Sequence, residues 1–408
     1  MKCRFCKTTL QQEFINLENA PASNSFLTKE QLNEPEVFYP LRVFVCDKCF
    51  LVQVDEYKKS DAIFNQDYVY FSSYSTSWLA HSKAYVEMMI EKFGLNPGMQ
   101  AVEIASNDGY LLQYFKQRGI PVLGIEPTAG TAAVAREKGI ESWTEFFGVA
   151  LAKRMVAEGR QADVLLGNNV LAHVPDLNDF VRGLQIALKP HGVITMEFPH
   201  LMQLVEHNQF DTIYHEHFSY LSLITVKAIF EQHGLTIFDV EEIPTHGGSM
   251  RIFAKHSNDE KHAILPAVDE LLQKERKRGM QSIAYYEGFQ QRVNEVKNQF
   301  LRFLLDAKKE GKKVAAYGAA AKGNTLLNYC GIKTDLIDFV VDANPNKQNK
   351  FLPGSHIPVV NEETLKRERP DFVIIFPWNI KIEITKQLQY IKDWGGSFVT
   401  AIPFVELL

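Results

Sequence analysis

Hydrophobic and polar positions change rhythm several times along the chain. From residue 99, short apolar runs alternate with amphipathic stretches. "MQAVEIA", "PVLGIEP", "ADVLLGNN" and "VITMEFP" read as strands, and "GYLLQYFKQRG", "TAAVAREKG" and "LNDFVRGLQIALKPHG" as the helices between them. Apolar strands separated by helices predict a parallel sheet covered on both faces. Residues 79–93 read as an amphipathic helix closed by the Gly and Pro of "FGLNPG". Residues 225–234 read as a further helix, and "LTIFDVEEI" with "SMRIFAKH" as an antiparallel pair. Residues 266–310 are helical, charged and nearly free of glycine, as connecting helices would be. From 312 a second α/β rhythm begins with "KKVAAYGAAAKGNTLLNYCG", "IDFVVDANP", "DFVIIFPW" and "GGSFVTAIP". No internal repeat or low-complexity tract is present.

A chain of 408 residues is too long for one ordinary core. With 46% hydrophobic and 23% charged residues it has the composition of a soluble globular protein. A formal net charge of -5 gives no footprint for nucleic acid, and "KERKR" reads as a solvated helix face. The opening "MKCRFCKTTL" has no apolar h-region. No uncharged apolar run approaches the roughly 20 residues of a membrane helix. The expectation is a cytoplasmic protein with no membrane and no nucleic-acid partner.

The cysteines are grouped. Cys3 and Cys6 form one C-x-x-C, Cys46 and Cys49 a second, and Cys330 stands alone in apolar "LLNYCGI". Two such knuckles suit a structural, tetrahedral Zn²⁺, and four thiolates leave no open position for catalysis. The aromatic, hydroxyl-rich "IFNQDYVYFSSYSTSW" (63–78) reads either as packing between domains or as a loop lining a polar ligand.

In "VEIASNDGYLL", Glu103 lies in a strand and Ser106, Asn107, Asp108 and Gly109 form the turn before a helix. A single glycine here gives poor support for the pyrophosphate of a dinucleotide, which wants G-x-G-x-x-G. S-adenosylmethionine carries no phosphate. It needs the tight turn and an acid at the end of the second strand, and Glu126 in "GIEP" stands there. With "LLGNNVLAHV", which supplies Asn168, the pattern resembles the class I S-adenosylmethionine-dependent methyltransferases. The second loop, "GAAAKGNT" (318–325), misses the P-loop because Asn324 stands at the lysine position. That excludes an ATPase or kinase. The loop still joins a strand to a helix with Lys322 inside it, either as a seat for a diphosphate or as a plain turn.

"YHEHFSY" (214–220) fails the H-E-x-x-H zinc motif, since Ser219 stands where the second histidine is required. On a helix Tyr214 and His217 would share a face, which favours an acid–base pair with Glu216 alongside. His173, after the preceding strand end, can face the same cleft.

These motifs, with "YFSSYS", "HGGSMR" and "VVDANPNKQNKFLPG" in this order, resemble the nucleotide-sugar C-methyltransferases, typified by the C-3′-methyltransferases of branched deoxysugar biosynthesis. The likeness spans almost the whole chain. It implies an α/β multidomain fold: an N-terminal zinc-binding module (1–75), a class I methyltransferase Rossmann-like domain (76–255), and a helical connector with a C-terminal Rossmann-like α/β domain (256–408). It implies S-adenosylmethionine as cofactor, structural Zn²⁺ on Cys3, Cys6, Cys46 and Cys49, and a nucleotide-diphosphate 4-keto-6-deoxysugar bound between the second and third domains. It implies His217 as the C-3′ base, Tyr214 and Glu216 as its assistants, and His173 and Tyr68 placing the keto oxygen. It assigns Glu103, Ser106, Asn107, Asp108, Gly109, Glu126 and Asn168 to the cofactor and Tyr70, Lys322 and Asn324 to the substrate. Ala105 departs from the pattern, which has glycine there. Three domains in one chain are compatible with a monomer. The competing readings are an O- or N-methyltransferase of nucleotide sugars and a zinc-ribbon nucleic-acid methylase, for which the basic surface is absent.

Overall fold

The computed structural model describes residues 1–57 and 71–408. Three sheets organise the described residues. The first is antiparallel and has four strands in the order β1 (Gln12–Ala20), β2 (Tyr39–Val45), β3 (Val52–Val54) and β9 (Ser219–Tyr220). β9 comes from far along the chain and pairs with β3 through Val52 opposite Tyr220 and Gln53 opposite Ser219.

The second sheet has seven strands. β4 (Ala101–Ile104), β5 (Val122–Ile125) and β6 (Ser142–Trp143) run outward on one side, and β7 (Ala162–Asn168) and β8 (Leu188–Pro199) on the other. β10 (Leu235–Ile243) and β11 (Ser249–His256) form the expected hairpin, and β11 adds antiparallel to β8. β4 and β7 are parallel neighbours, so the order reverses between them. β4 is buried along its whole length, as a strand covered on both faces should be.

The helix expected over 177–192 is shorter. It runs from Leu177 to Ala187, capped by Asp176, whose side chain accepts from the amides of Asn178 and Asp179. Its Leu177, Phe180, Val181 and Leu184 are buried on one face. Pro190 lacks an amide proton and pushes its predecessor out of helical geometry, so the chain enters β8 at Leu188. The connector is two helices, Pro266–Lys277 and Phe289–Lys309. Gly279 (φ 84°) and Gly288 (φ 75°) take left-handed conformations between them.

The third sheet contains β12 (Val314–Tyr317), β13 (Val340–Val341), β14 (Val359–Val360), β15 (Phe372–Ile375), β16 (Ser397–Thr400) and β17 (Glu406–Leu407), ordered β14-β13-β12-β15-β16-β17. Its strands are parallel except β17, and the order again reverses beside the first strand. Cys330 is buried in its core, as its apolar context suggests. Among the described residues no helix is long and apolar enough to cross a membrane.

Candidate active site

Ligands of open α/β sheets bind outside the strand ends where the strand order reverses. In the seven-stranded sheet that place lies after β4 and β7. The turn after β4 is left-handed at Ala105 (φ 57°), Asn107 (φ 49°) and Gly109 (φ 75°). A side chain at Gly109 would also meet Ile140, 2.4 Å from the position of its Cβ. Glu126, at the end of β5, accepts from the Asn107 and Thr128 amides, each at 2.9 Å, and so holds the turn. Asn107 Oδ1 accepts from the Ser72 amide at 2.9 Å, and Asp108 pairs with Lys138 at 3.2 Å. Glu103 is fully buried. Burial, with the carboxylates of Asp108 and Glu126 nearby, pushes its carboxyl well above the usual range despite the Tyr110 hydroxyl beside it.

Several polar atoms at this crevice have no hydrogen-bond partner among the described residues: Ser106 Oγ, Asp108 Oδ1, and both Oδ1 and Nδ2 of Asn168. Each such buried group costs about 1–3 kcal/mol. A cluster of them at one sheet edge fits a polar occupant. The hydroxyls and amino-acid end of S-adenosylmethionine suit this mix of acids, amide and hydroxyls, and no glycine-rich cradle for a pyrophosphate is present.

The "YHEHFSY" segment is a tight turn and not a helix, with the His217 amide bonded to the Tyr214 carbonyl at 2.9 Å. The turn still puts residues three apart together, as expected. Tyr214 Oη lies 2.9 Å from His217 Nε2, and His217 Nδ1 lies 2.9 Å from the Thr212 carbonyl. A carbonyl only accepts, so Nδ1 carries the ring proton and Nε2 holds the lone pair that the phenol meets. Burial first, then the neighbouring His173, His246 and Lys322, hold this imidazole well below its usual range. His173 packs against it at 4.6 Å between ring centroids and donates from Nδ1 to the Glu216 carbonyl at 2.7 Å. Burial lowers His173 to about 4. Both oxygens of Glu216 accept from the Asn24 amide at 2.8 and 2.9 Å, so Glu216 anchors the turn to the N-terminal region. His215 lies 3.1 Å from the Pro40 carbonyl, a structural contact.

The third sheet closes the cleft. Lys322 Nζ donates to Asn379 at 2.7 Å and lies 4.5 Å over the Trp378 ring. Trp378 donates to the buried Asp211 at 2.7 Å, and burial raises that carboxyl to about 6. Asn324, expected at the substrate, has one side of its amide engaged by protein while Oδ1 has no partner among the described residues. It is 1% exposed, and its amide donates to the Ser23 carbonyl at 2.6 Å, tying two modules together. Tyr68 and Tyr70 lie outside the described residues. Asp211, Thr212, Asn169, His246 and Trp378 belong to this cleft and escaped the sequence reading. "HGGSMR" carried the one available signal, a histidine ahead of two glycines at a strand start.

The four zinc-module cysteines meet. Their sulfurs lie within 4.8 Å of one another, with Cys3–Cys49 and Cys6–Cys46 at 3.5 Å. Tetrahedral Zn²⁺ with Zn–S of about 2.3 Å requires sulfurs roughly this far apart. Gln53 supports the site, donating to Cys3 Sγ at 3.3 Å while its oxygen accepts from the Arg4 amide at 2.8 Å.

A switch point bounded by buried, unpartnered polar groups, on a seven-stranded sheet carrying an antiparallel hairpin, fits an S-adenosylmethionine-dependent methyltransferase. Comparison with known proteins narrows the class. Residues 79–240 match the methyltransferase domain model, residues 244–403 the C-methyltransferase C-terminal domain, and residues 3–64 a zinc binding domain. Over 402 residues the chain is 34% identical to the C-methyltransferase NovU of Streptomyces niveus, covering 98% of this chain and 95% of that one. The chain belongs to the C-methyltransferase family. The ubiquinone biosynthesis O-methyltransferase of Bordetella avium (strain 197N) is 28% identical over 109 residues, 26% of this chain and 45% of that protein. The magnesium protoporphyrin IX methyltransferase of Synechocystis PCC 6803, solved with bound SAM, is 16% identical with a TM-score of 0.34, over 44% of this chain and 79% of that one.

Proposed function

We propose that this C-methyltransferase acts at C-3′ of a nucleotide-linked 4-keto-6-deoxysugar, with His217 as the base. The observation that carries the reading is the hydrogen bond from His217 Nδ1 to the Thr212 carbonyl, which fixes the tautomer with its lone pair on Nε2. Carbon becomes a nucleophile only after deprotonation, and a neutral, positioned imidazole suits that task. S-adenosylmethionine, held by Ser106, Glu126 and Asn168, supplies an electrophilic methyl group. His217 takes the proton from the carbon next to the ketone, and the electron pair moves onto the keto oxygen. The Tyr214 hydroxyl meets Nε2 in this structure. Turned onto a bound ketone, it frees the lone pair and stabilises the enolate. Lys322 at the rim of the cleft pairs with the diphosphate, and Tyr68, Tyr70 and His173 contact the sugar.

The test is His217→Asn. Turnover should fall by about 10²–10⁴-fold, the range of a lost general base, while calorimetry shows S-adenosylmethionine binding unchanged. A variant that keeps its turnover removes His217 from the role. In deuterium oxide without methyl donor, the wild type should exchange the sugar proton, which an O- or N-methyltransferase has no reason to do.

A further inference from the structure

The loop between β10 and β11 is the strained part of the cleft that the mechanism above leaves without a task. His246, Gly247 and Gly248 take φ of 54°, 92° and 113°. Glycine adopts such values freely, but a side chain in the left-handed region costs about 1–2 kcal/mol. Strain of this kind persists where the surroundings impose it, and it clusters at functional sites. Here Gly247 sits so close to Trp378 that a Cβ would lie 2.3 Å from the indole, and Gly248 so close to Gln203 that one would lie 2.6 Å away. Gln209 donates to the Gly247 carbonyl at 2.8 Å.

The imidazole is also fixed. His246 Nε2 lies 2.9 Å from Asn169 Nδ2, and Asn169 is itself left-handed at φ 55°. An amide nitrogen only donates. With the Asn169 amide in this orientation, Nε2 holds the lone pair and Nδ1 the proton. Among the described residues no hydrogen bond engages Nδ1, and the ring is half-buried.

Its position is between the two ligand ends of the cleft. Trp78 lies 5.2 Å from the His246 ring and 6.0 Å from Tyr110 beside the cofactor crevice. Asn169 follows the crevice residue Asn168. On the other side, Gly247 touches Trp378, which lies under Lys322. His217 is near enough to feel the charge of His246.

We propose that His246 is a further catalytic residue, whose Nδ1–H donates to the sugar oxygen that becomes negative when His217 takes the carbon-bound proton. The role rests on the C-methylation reading above. The carbon–hydrogen bond breaks and its proton goes to His217 Nε2. The electron pair moves to the carbonyl oxygen, where His246 and Tyr214 supply two donors. The pair then returns to carbon as the carbon–methyl bond forms and the sulfur–methyl bond breaks, leaving S-adenosylhomocysteine. His246 keeps its proton throughout. Burial holds the imidazole down at about 4, so it acts as a neutral donor and does not itself protonate the oxygen.

Two variants test this. His246→Gly removes the donor and relieves the backbone; His246→Asn accepts a left-handed conformation and returns an N–H near the Nδ1 position. Deuterium uptake next to the ketone is followed by mass shift, with a nucleoside-diphosphate 4-keto-6-deoxyhexose, S-adenosylhomocysteine and deuterium oxide. His246→Gly should slow exchange and kcat by about 10²–10³-fold, as for a lost oxyanion donor. Its melting temperature should be unchanged or higher, its binding of S-adenosylhomocysteine unchanged, and His246→Asn should recover about tenfold or more. Exchange by His246→Gly within about threefold of wild type overturns the role. A loss that follows a lower melting temperature and is not recovered by Asn also overturns it. A wild type that methylates such a sugar without exchanging its carbon-bound proton overturns the C-methylation reading itself, and the role with it.

Discussion

The molecule contains the same crevice twice and uses it in opposite ways. Both large sheets reverse strand order beside their first strand, and both have a strand–turn–helix at that point. In the seven-stranded sheet the place after β4 and β7 is bounded by the buried, unpartnered side chains of Ser106 and Asn168. In the third sheet the place after β12 and β15 is filled by protein. Pro377 presses on Gly318, where a Cβ would lie 2.5 Å from its ring, and Phe376 on Gly323, where one would lie 2.6 Å away. Most of the turn's polar groups are engaged as well, Asn324 Oδ1 being the exception. The Ala319 amide donates to Asp342 at 2.8 Å, Asn324 to the Ser23 carbonyl at 2.6 Å, and Thr325 to the Ile213 carbonyl at 2.8 Å. One turn is preorganised for a ligand, and the other joins domains while presenting Lys322 at the rim. Similar topology therefore says where a ligand can bind, and the hydrogen-bond ledger says how much of that place the protein has already taken up.

Among tests of this contrast, replacing an unpartnered group of the first crevice should have the largest effect. Asn168→Leu is expected to weaken S-adenosylmethionine binding by about 10–100-fold, the loss of one or two hydrogen bonds. Thermal stability without ligand should hold or rise, because a buried unsatisfied amide is removed. Calorimetric titration and melting curves check the two halves. Asn324→Leu should do the reverse: about 1–2 kcal/mol of stability lost in urea unfolding, with cofactor affinity intact. If Asn324→Leu instead leaves stability untouched and raises KM for a nucleotide sugar, the contrast between the two turns collapses.

A pH profile sharpens the comparison within the cleft. Burial and neighbouring positive charge depress His217, so its base form persists below the pH at which an ordinary histidine protonates. kcat/KM should stay flat as pH falls from about 8 through the usual histidine value near 6.5 and decline only below it. An acidic limb at or above the usual value would show that another group limits the rate. The smallest effect is expected of Ala105→Gly. Alanine at φ 57° is strained, and relief of about 1 kcal/mol should exceed the entropy that glycine adds to the unfolded chain. The expected gain is a few tenths of a kcal/mol in urea unfolding.

Ala105 also shows what could be read in advance. The family resemblance leads to an expectation of glycine there, and the left-handed turn at φ 57° supplies the physical reason, although this chain meets it with alanine. The strand–helix alternation, the β10–β11 hairpin and the two cysteine knuckles were legible because each follows from local periodicity or spacing. The contacts of Asn324 were not. A side chain bonded to a backbone carbonyl about 300 residues away leaves no local trace. Asp211 and Trp378 meet only because two domains dock, and His246 gains its setting from Asn169 and Gly247 together. "YHEHFSY" lay between these extremes: the pairing of Tyr214 with His217 was foreseeable, but the turn that makes it was not. The turn depends on β9, which is set by a strand from the other end of the chain.

That last pairing has a consequence for how the enzyme is made. β3 ends at Val54, and the strand that covers its free edge is residues 219–220. On the ribosome, at about 5–20 residues per second, the N-terminal module is complete in sequence many seconds before its sheet can be. Through that interval its outer strand is an open edge, of the kind that invites pairing with other chains. Zinc on the four cysteines can fold the knuckles early, but the turn that carries His217 forms only when the nascent chain returns to close the sheet. Metal supply during translation, and not only in the finished enzyme, then bears on the yield of active protein.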